Sequence, residues 1–257
     1  TICLTQASCF GLCALFVWLL GSLHLVQDST KLFAAMYYYI TPTNTHAEAI
    51  EYLSAQGVLT GYSDGMFRPT RALNRAELLY VAVNAVGLTE DVERCIKQFR
   101  STYGNGALLF HDVPHGSWYE GALCTALSHK IIRGYIDQNF RPSQLVTLVD
   151  ASAVLARAFY LPMDDAGTSE WYQPYVRALS DKNAIPLDVR ALDLPVNRGI
   201  VAEITYRLLT PGVLKPSLSY ELIASGQPLH AAAGSDTIME IIDRVNRERA
   251  KYNLPPF

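Results

Sequence analysis

Apolar positions recur along the chain at the spacing of helical faces, in short runs separated by polar loops. Residues 49–53 and 122–126 each place apolar side chains at the spacing of one helical face. After a loop that contains Gly, Asp and Pro, a second apolar run follows each of them, at 78–86 and 151–159. Because no segment alternates convincingly as a strand, the sequence predicts a mainly α protein.

The longest apolar stretch, residues 9–26, contains no Asp, Glu, Lys or Arg. Its length reaches the lower limit of a membrane span, about 17–25 residues. A signal peptide is the competing interpretation, although no Lys or Arg precedes Lys31 and the chain starts with Thr. A buried core helix is the third. We expect residues 1–36 to be a signal peptide or membrane anchor, in a chain whose true start is missing, and the rest to lie outside the cytoplasm.

The composition is that of a folded, nearly neutral protein. Of the 257 residues, 50% are hydrophobic and 18% are charged, and the formal net charge is −3. These values exclude a disordered polyelectrolyte and argue against a nucleic-acid-binding protein. Five Cys are too few for a disulfide scaffold. Downstream of the apolar stretch only Cys95 and Cys124 remain, so one disulfide at most can form there, and the sequence does not decide whether it does.

A repeated motif divides the rest of the chain. Residues 61–69 have the sequence GYSDGMFRP, and residues 134–142 have the sequence GYIDQNFRP. A third copy, which lacks the Gly-Tyr loop, is indicated by a similar spacing, three residues shorter, from Trp171 to Arg198. One such unit cannot bury its apolar face alone, whereas three can bury theirs against each other. We therefore expect one compact helical domain over about residues 37–210.

Each copy has the pattern of helix, loop and helix, with cap signals at both helices. Thr45 and Ser117, each followed by Glu three residues later, predict capping boxes at the first helices. The predicted N-caps of the second helices are Asn74, Thr147 and Asn197, and an acid three residues on completes a box in the first two.

These copies resemble S-layer homology (SLH) repeats. The landmarks of that family are an F-x-D-V opening, a Trp at the first helix, a G-Y-x-D-G-x-F loop and a T-R-A-E start of the second helix. Copy one has the loop in full and NRAE at 74–77. Copy two has FHDV at 110–113, Trp118, most of the loop and Thr147. Copy three has Asp165, Trp171 and NR at 197–198. The resemblance implies three helix-loop-helix SLH repeats in a pseudo-threefold helical domain, flanked by an N-terminal hydrophobic helix and a C-terminal amphipathic helix.

The resemblance also implies a function. SLH triplets bind secondary cell-wall polysaccharide, commonly pyruvylated and therefore anionic, or a peptidoglycan-linked polymer, and so tether exported proteins to the cell wall. We expect an exported, non-catalytic, carbohydrate-binding protein of the bacterial envelope, with no cofactor, no nucleic-acid partner, and membrane contact through residues 9–26. The alternatives are a self-assembling surface-lattice protein, or a surface-anchored protein whose activity lies in a missing C-terminal part.

Four side chains at motif positions are candidates for sugar binding. Arg75 and Arg198 stand at the first position of a helix, where a cation opposes the helix dipole. Either the carboxylate of an acidic sugar or an acid of a neighbouring repeat would compensate. Trp118 and Trp171 either stack on a sugar ring or are buried between repeats.

The loop residues complete the candidate set. Asp64 and Asp137 either bind sugar hydroxyls or brace their loops. Gly61 and Gly134 belong to the candidate carbohydrate-binding loops and, with Gly65, are predicted to serve turns that need positive φ. The copies depart from the family where copy one lacks the Trp, copy two lacks the Arg and copy three lacks the loop. If each groove needs its full set, fewer than three grooves bind sugar.

Catalytic and metal sites are not indicated. His111 and His115 flank Asp112, but Pro114 breaks any helix that would align them as ligands. The sequence contains no paired-Cys motif and no phosphate-binding loop.

The C-terminal tail carries a separate signal. Residues 211–234 are rich in Pro, Gly, Ala and Ser and are predicted to be a linker. Residues 235–257 follow with an amphipathic helical pattern, and residues 241–257 resemble the opening helix of a CAP (SCP/PR-1-like) domain. The predicted organisation is therefore 1–36 signal or anchor, 37–87 repeat one, 88–109 insert, 110–160 repeat two, 161–210 repeat three, 211–234 linker and 235–257 start of a truncated CAP-like domain.

Overall fold

A computed structural model describes residues 44–105, 108–164, 170–213 and 215–226. These residues form eight helices and no sheet, which confirms the mainly α prediction for this part of the chain. The predicted terminal helices, hydrophobic at one end and amphipathic at the other, lie outside it. The helices are α1 (Ala47–Ala55), α2 (Arg75–Ala85), α3 (Thr89–Tyr103), α4 (Glu120–Ser128), α5 (Leu148–Ala158), α6 (Gln173–Asp181), α7 (Arg198–Leu209) and α8 (Tyr220–Ala224).

Three helix pairs surround a common core: pair one (α1 and α2), pair two (α4 and α5) and pair three (α6 and α7). The first helix of each pair packs on the second helix of the preceding pair, so α4 lies on α2, α6 on α5, and α1 on α7. This arrangement closes in a ring. The second helices meet inside it, since α2 contacts both α5 and α7, and most of their side chains are buried.

Three backbone hydrogen bonds join the starts of the second helices in a closed triangle. Leu73 N–H donates to the Val196 carbonyl (3.0 Å), Val196 N–H to the Val146 carbonyl (2.9 Å), and Val146 N–H to the Leu73 carbonyl (3.0 Å). All three side chains are buried. In such surroundings an unmade hydrogen bond costs about 1–3 kcal/mol, so the triangle depends on all three segments being present.

The second helices begin as the sequence predicts. The side chains of Asn74, Thr147 and Asn197 each accept a hydrogen bond from the backbone N–H three residues on. Glu77 and Asp150 return a bond to the first two caps, which completes both predicted capping boxes. The start signals of these helices are local in sequence, and they were sufficient to predict where the second helices begin.

The capping boxes predicted at the first helices are wrong. The N-cap residues of α1 and α4 are His46 and Tyr119, and neither side chain makes a capping hydrogen bond. The acids of the predicted boxes have partners from other parts of the fold: Glu48 accepts from Tyr206 of α7, and Glu120 accepts from Arg100 of α3. Tertiary contacts have replaced the local pairing.

The insert between repeats one and two forms helix α3, which packs on α4. A disulfide joins Cys95 of α3 to Cys124 of α4, with an S–S distance of 2.01 Å. The sequence left this bond undecided, and the structure contains it. Such a bond is expected in a protein that folds outside the reducing cytoplasm.

Residues 215–226 belong to the domain, although their composition is that of a linker. Leu218 and Ile223 are buried, and Leu218 N–H donates to the carbonyl of Ile185 at 2.9 Å. The short helix α8 contacts α6. These contacts help to dock the segment on pair three, and composition alone does not reveal them.

Candidate functional site

Neighbouring helix pairs meet in three contact regions, which we call grooves. Groove I separates pairs one and two, groove II separates pairs two and three, and groove III separates pairs three and one. Each contains the start of a second helix and the loop of the following pair. The same positions recur in all three, so the residues in them can be compared directly.

In groove I, Arg75 extends from the start of α2 into the loop of pair two. Its Nε donates to the Phe140 carbonyl at 3.0 Å, and its guanidinium lies 5.0 Å from the centre of the Tyr135 ring and 5.2 Å from that of Phe140. The residue is only 8% exposed. The neighbouring repeat therefore supplies a carbonyl and two aromatic rings, not the acid that the ion-pair alternative expected. The terminal amino groups of Arg75 have no hydrogen-bond partner among the described residues.

The F-x-D-V opening of repeat two fixes this loop. Asp112 accepts hydrogen bonds from the backbone N–H groups of Phe140 and Arg141, at 2.7 and 2.6 Å. The ring of Phe110 lies against Gly134, where an added Cβ would meet it at 1.9 Å. A carboxylate and a close ring contact thus hold the loop before any ligand binds.

Groove III repeats this geometry with Arg198. Its Nε donates to the Phe67 carbonyl at 3.0 Å and one terminal amino group donates to the Thr60 carbonyl at 2.8 Å. The guanidinium lies 4.9 Å from the centre of the Tyr62 ring. Arg71 also donates to the Tyr62 hydroxyl and to Glu77. Arg198 is as buried as Arg75, and its bonds to two carbonyls tie pair three to pair one.

Groove II lacks the cation. Leu148 occupies the position of Arg75 and is fully buried. The loop of pair three is shortened, and the carbonyl of Leu192 accepts from Val149 N–H at 3.3 Å. Leu187 and Leu194 of that loop are about half exposed. This groove is apolar where the other two carry a guanidinium.

Both candidate tryptophans are on the surface. Trp118 is 61% exposed and Trp171 is 59% exposed, so the alternative that buried them between repeats is wrong. Trp118 contacts Tyr80 of α2 edge to face, with ring centres 5.6 Å apart, which places it beside groove I. Trp171 lies near Tyr175 of α6, at 6.4 Å. Both tryptophans stay exposed because each precedes its helix, and the residue that follows it, Tyr119 or Tyr172, packs against the core instead.

The two loop aspartates brace their own loops. Asp64 accepts from Met66 N–H and pairs with Arg68, and Asp137 accepts from Asn139 N–H and pairs with Arg141. The side chain of Arg141, followed by that of Asn139, lowers the pKa of Asp137 to about 2. The bracing alternative of the sequence is therefore what these contacts support, while sugar binding by Asp64 and Asp137 stays a prediction.

The glycine predictions have mixed outcomes. Gly65 has φ of 78°, as predicted. Gly61 and Gly134 do not have positive φ, so that prediction is wrong for them. At Gly134 the requirement is space for the Phe110 ring, which the turn chemistry of the sequence does not indicate.

A charge cluster between pairs one and three, in which His46, Glu203 and Arg207 are buried, was not predicted. His46 Nε2 lies 2.9 Å from Asp188, and Arg207 Nε lies 2.8 Å from Glu203. Lys215 bonds both Glu203, at 3.1 Å, and Glu48 of α1. Among the described residues, this cluster connects α1, the loop of pair three, α7 and the segment before α8.

The pKa values in this cluster are shifted in opposite directions. Burial alone would lower the pKa of His46, but Asp188 and Glu203 outweigh it and raise the pKa to about 9. Burial would raise the pKa of Glu203, but His46 and Arg207 outweigh it and lower the pKa to about 2. Both groups are therefore charged near neutral pH. The sequence did contain a signal for this cluster: His46 occupies the helix N-cap position at which pair two has the aromatic residue Tyr119.

Metal sites and membrane-spanning helices are absent from the part of the chain that the structure describes. The described residues contain no group of three or more His, Cys, Asp and Glu that could hold a metal ion. None of the described helices is both long and apolar enough to cross a membrane. A depression along α3, lined by Lys97, Arg100 and Gly121 among others, includes none of the candidate sugar-binding residues.

Comparison with known proteins gives matches in the same regions. Residues 43–79 and 109–148 match the S-layer homology domain. The Surface layer protein of Brevibacillus choshinensis is 27% identical over 153 residues, which are 60% of this chain and 12% of that protein. The Middle cell wall protein of Brevibacillus brevis is 29% identical over 111 residues, 43% of this chain and 10% of that protein. The Cellulosome-anchoring protein of Acetivibrio thermocellus is 27% identical over 118 residues, 44% of this chain and 23% of that protein.

The similarity therefore spans less than a quarter of the length of each of these relatives. The two matched segments contain the loops and second-helix starts of pairs one and two, and they include no part of pair three. The chain thus carries two segments that match the S-layer homology domain, within a helical domain, and it is an envelope protein of the cell surface.

Proposed function

We propose that this domain attaches the protein to the bacterial cell wall by binding an anionic wall polysaccharide, with groove I as the principal site. One observation carries the proposal: groove I combines a helix-start Arg with an exposed Trp. Groove II has Trp171 but Leu148 in place of the Arg, and groove III has Arg198 but Thr45 in place of the Trp.

The chemistry of groove I suits an acidic sugar. The terminal amino groups of Arg75 can form paired hydrogen bonds with a carboxylate, such as that of a pyruvylated sugar or a uronic acid. The N-terminus of α2 also favours an anion, by about 0.3–1 kcal/mol. The exposed face of Trp118 offers an apolar surface on which the apolar face of a pyranose can stack. A neutral sugar would use the Trp and offer no carboxylate to the terminal amino groups of Arg75.

We also infer that pair three is a diverged third SLH repeat. Asn197 caps α7 as Asn74 caps α2, and Arg198 enters the loop of pair one as Arg75 enters that of pair two. These parallels support a common origin, although the SLH match ends before pair three.

The remaining predictions concern the ends of the chain and catalysis. The signal peptide or anchor at 1–36 and the CAP-like start at 235–257 fall on residues outside the described part. We propose that the described domain acts as a binding module and not as an enzyme. A surface-lattice role is the second candidate, favoured by the similarity to a Surface layer protein, and light scattering separates the two. A monodisperse monomer would exclude assembly.

Co-sedimentation with purified cell-wall sacculi tests the attachment. The protein should pellet with intact sacculi and stay in solution when the wall polysaccharide has been extracted. Equal binding to both preparations, or binding to neither, would remove wall polysaccharide as the ligand.

Matched variants test the assignment to groove I. Arg75→Ala should raise the dissociation constant for sacculi about tenfold or more, because a charge-assisted hydrogen bond is lost. Arg198→Ala removes the equivalent side chain from groove III and should have a smaller effect. Glu77→Gln keeps a residue that can complete the capping box and should bind as the unmodified protein does. Equal effects of all three substitutions would contradict a ligand role for Arg75.

A further inference from the structure

The insert lies beside the groove to which the proposed function assigns binding. Helix α3 connects pairs one and two, and it packs on α4. Trp118 stands two residues before the start of α4. The connection between pairs two and three contains no helix among its described residues. The turn that carries Trp118 therefore has a support that the turn of Trp171 lacks.

A chain of hydrogen bonds leads from the insert to that turn. Arg100 of α3 donates to both carboxylate oxygens of Glu120, at 3.1 and 2.9 Å. The same carboxylate accepts from Gly116 N–H at 2.9 Å and lies 3.4 Å from Nδ1 of His115. The bond from Gly116 to Glu120 closes a loop around Trp118. Arg100 of the insert thus fixes the carboxylate of Glu120, and that carboxylate fixes the turn that carries Trp118.

The carboxylate of Glu120 depends on these partners. It is almost fully buried, and burial alone would raise its pKa. The bonds from Gly116, Arg100 and His115 outweigh the burial and lower the pKa. Loss of Arg100 would leave a buried charge with fewer donors, and the turn would adjust to rehydrate it.

Two features fix α3 against α4 at close range. The disulfide between Cys95 and Cys124 is one. The other is the contact of Val92 with the backbone at Gly121, where an added Cβ would meet Val92 Cγ1 at 2.3 Å. Close approach of the two helices brings Arg100 within reach of Glu120.

The other pairs supply an internal comparison. Gln173 stands in pair three where pair two has Glu120, and Pro174 stands where pair two has Gly121. In pair one the two positions hold Ala47 and Glu48. The combination of acid and Gly therefore occurs in the one pair on which a disulfide-linked helix lies.

We propose that the insert positions Trp118 for polysaccharide binding in groove I, through the Arg100–Glu120 pair and the Cys95–Cys124 disulfide, so that reduction of the disulfide weakens attachment to the wall. This inference rests on the proposed function. Arg100 and Glu120 are positioning residues that act through the turn and do not touch the ligand. Ordering one exposed side chain before binding is worth about 0.5–1.5 kcal/mol, which corresponds to about a 2- to 10-fold change in affinity.

Binding of released wall polysaccharide to the full chain tests the proposal. Reduction and Arg100→Ala should each raise the dissociation constant about 2- to 10-fold. A Cys95→Ser, Cys124→Ser variant should bind as weakly as the reduced protein and should not respond to reductant. Arg100→Lys, which keeps one charged donor, should recover part of the affinity. Arg157→Ala, which removes a bond to Tyr175 in pair three, should bind as the unmodified protein does.

Fluorine NMR of fluorotryptophan-labelled protein separates positioning from general loosening. Reduction should shift or broaden the Trp118 signal and leave the Trp171 signal unchanged. Equal changes at both signals would overturn the positioning role. The role would also be overturned if Trp118→Ala weakened binding while reduction left the affinity unchanged. If the oxidised, unmodified protein does not bind the polysaccharide at all, the proposed function itself fails, and the positioning role of the insert fails with it.

Discussion

At the scale of single residues, three equivalent positions show how one side chain changes a groove. Arg75 and Arg198 lie at helix starts, where their charge is unfavourable to the dipole, and each is compensated by a carbonyl and aromatic rings from the next pair. Leu148 has the same backbone position and needs no such partners. Its groove has lost both the cation and the loop that would receive one.

Gly134→Ala should destabilise the domain by about 1–3 kcal/mol, because the new methyl group would overlap the Phe110 ring. Chemical denaturation measures the change. Ile136→Ala in the same loop is the control, since Ile136 is fully exposed and its loss should change stability by no more than about 0.5 kcal/mol. Combining Gly134→Ala with Phe110→Leu should recover part of the loss. Additive effects would show that the two residues do not clash.

His46 should make the domain less stable at alkaline pH. Its pKa in the folded protein is about 9, above the ordinary value of 6.5, so protonation favours the folded state. The stabilisation is complete below pH 6.5 and is lost as the pH rises through 9, about 3 kcal/mol in all. Denaturation curves between pH 6 and 10 measure it. His46→Gln should flatten this dependence, and an unchanged slope in that variant would assign it to another group.

At the scale of elements, the helices divide by how their ends are determined. The second helices start at side chains that cap their own backbone, whereas α1 and α4 start at residues whose partners come from distant segments. The placement of helix α3 likewise depends on a second element, helix α4. Its contacts with α4 are a disulfide, an ion pair and one close approach at Gly121.

Reduction of Cys95–Cys124 should lower the free energy of unfolding by about 2–4 kcal/mol, because the bond restricts the unfolded chain over a separation of 29 residues. Denaturant titrations with and without reductant measure the difference. The Cys95→Ser, Cys124→Ser variant should show the lower stability under both conditions. A reduced protein as stable as the oxidised one would mean that α3 is held by its other contacts.

At the scale of the whole molecule, the ring of helix pairs makes each pair necessary to the others. Leu73, Val146 and Val196 form their hydrogen-bonded triangle only when all three pairs are present. Arg198 closes the ring by bonding pair one, and the cluster around Glu203 joins α1 to α7. A linear repeat array loses one interface when its last repeat is removed, but a ring loses two.

A chain that ends at residue 160 should therefore fail to unfold as a cooperative unit. It would retain pairs one and two but would lose both interfaces that they form with pair three, including the contact of α1 with α7. Circular dichroism during heating measures the transition. A chain that ends at residue 226 is the control and should unfold as sharply as the whole chain. Cooperative unfolding of the shorter chain at a similar temperature would contradict the ring interpretation.

Much of the fold could be predicted because its signals are local. Apolar spacing predicted the helix pairs, and Asn74, Thr147 and Asn197 predicted where the second helices begin. The candidate site was predicted less well. The motif positions of Arg75 and Trp118 identified the residues, but not that one is buried in the next repeat and the other exposed. Whether a side chain is buried depends on which distant segments pack against it, and helical periodicity does not indicate which segments meet.

The sequence by itself determined the helical class and where the second helices begin, since capping and helical periodicity act within a few residues. Only the tertiary structure decided which residues share a groove, because the bonds concerned join positions far apart, as Arg198 and Thr60 are, 138 residues from each other. It also decided that Cys95 pairs with Cys124, that His46 carries a charge in the core, and that groove I holds both an Arg and a Trp. These outcomes require the ring to close, and closure brings together ends of the domain that no local pattern connects.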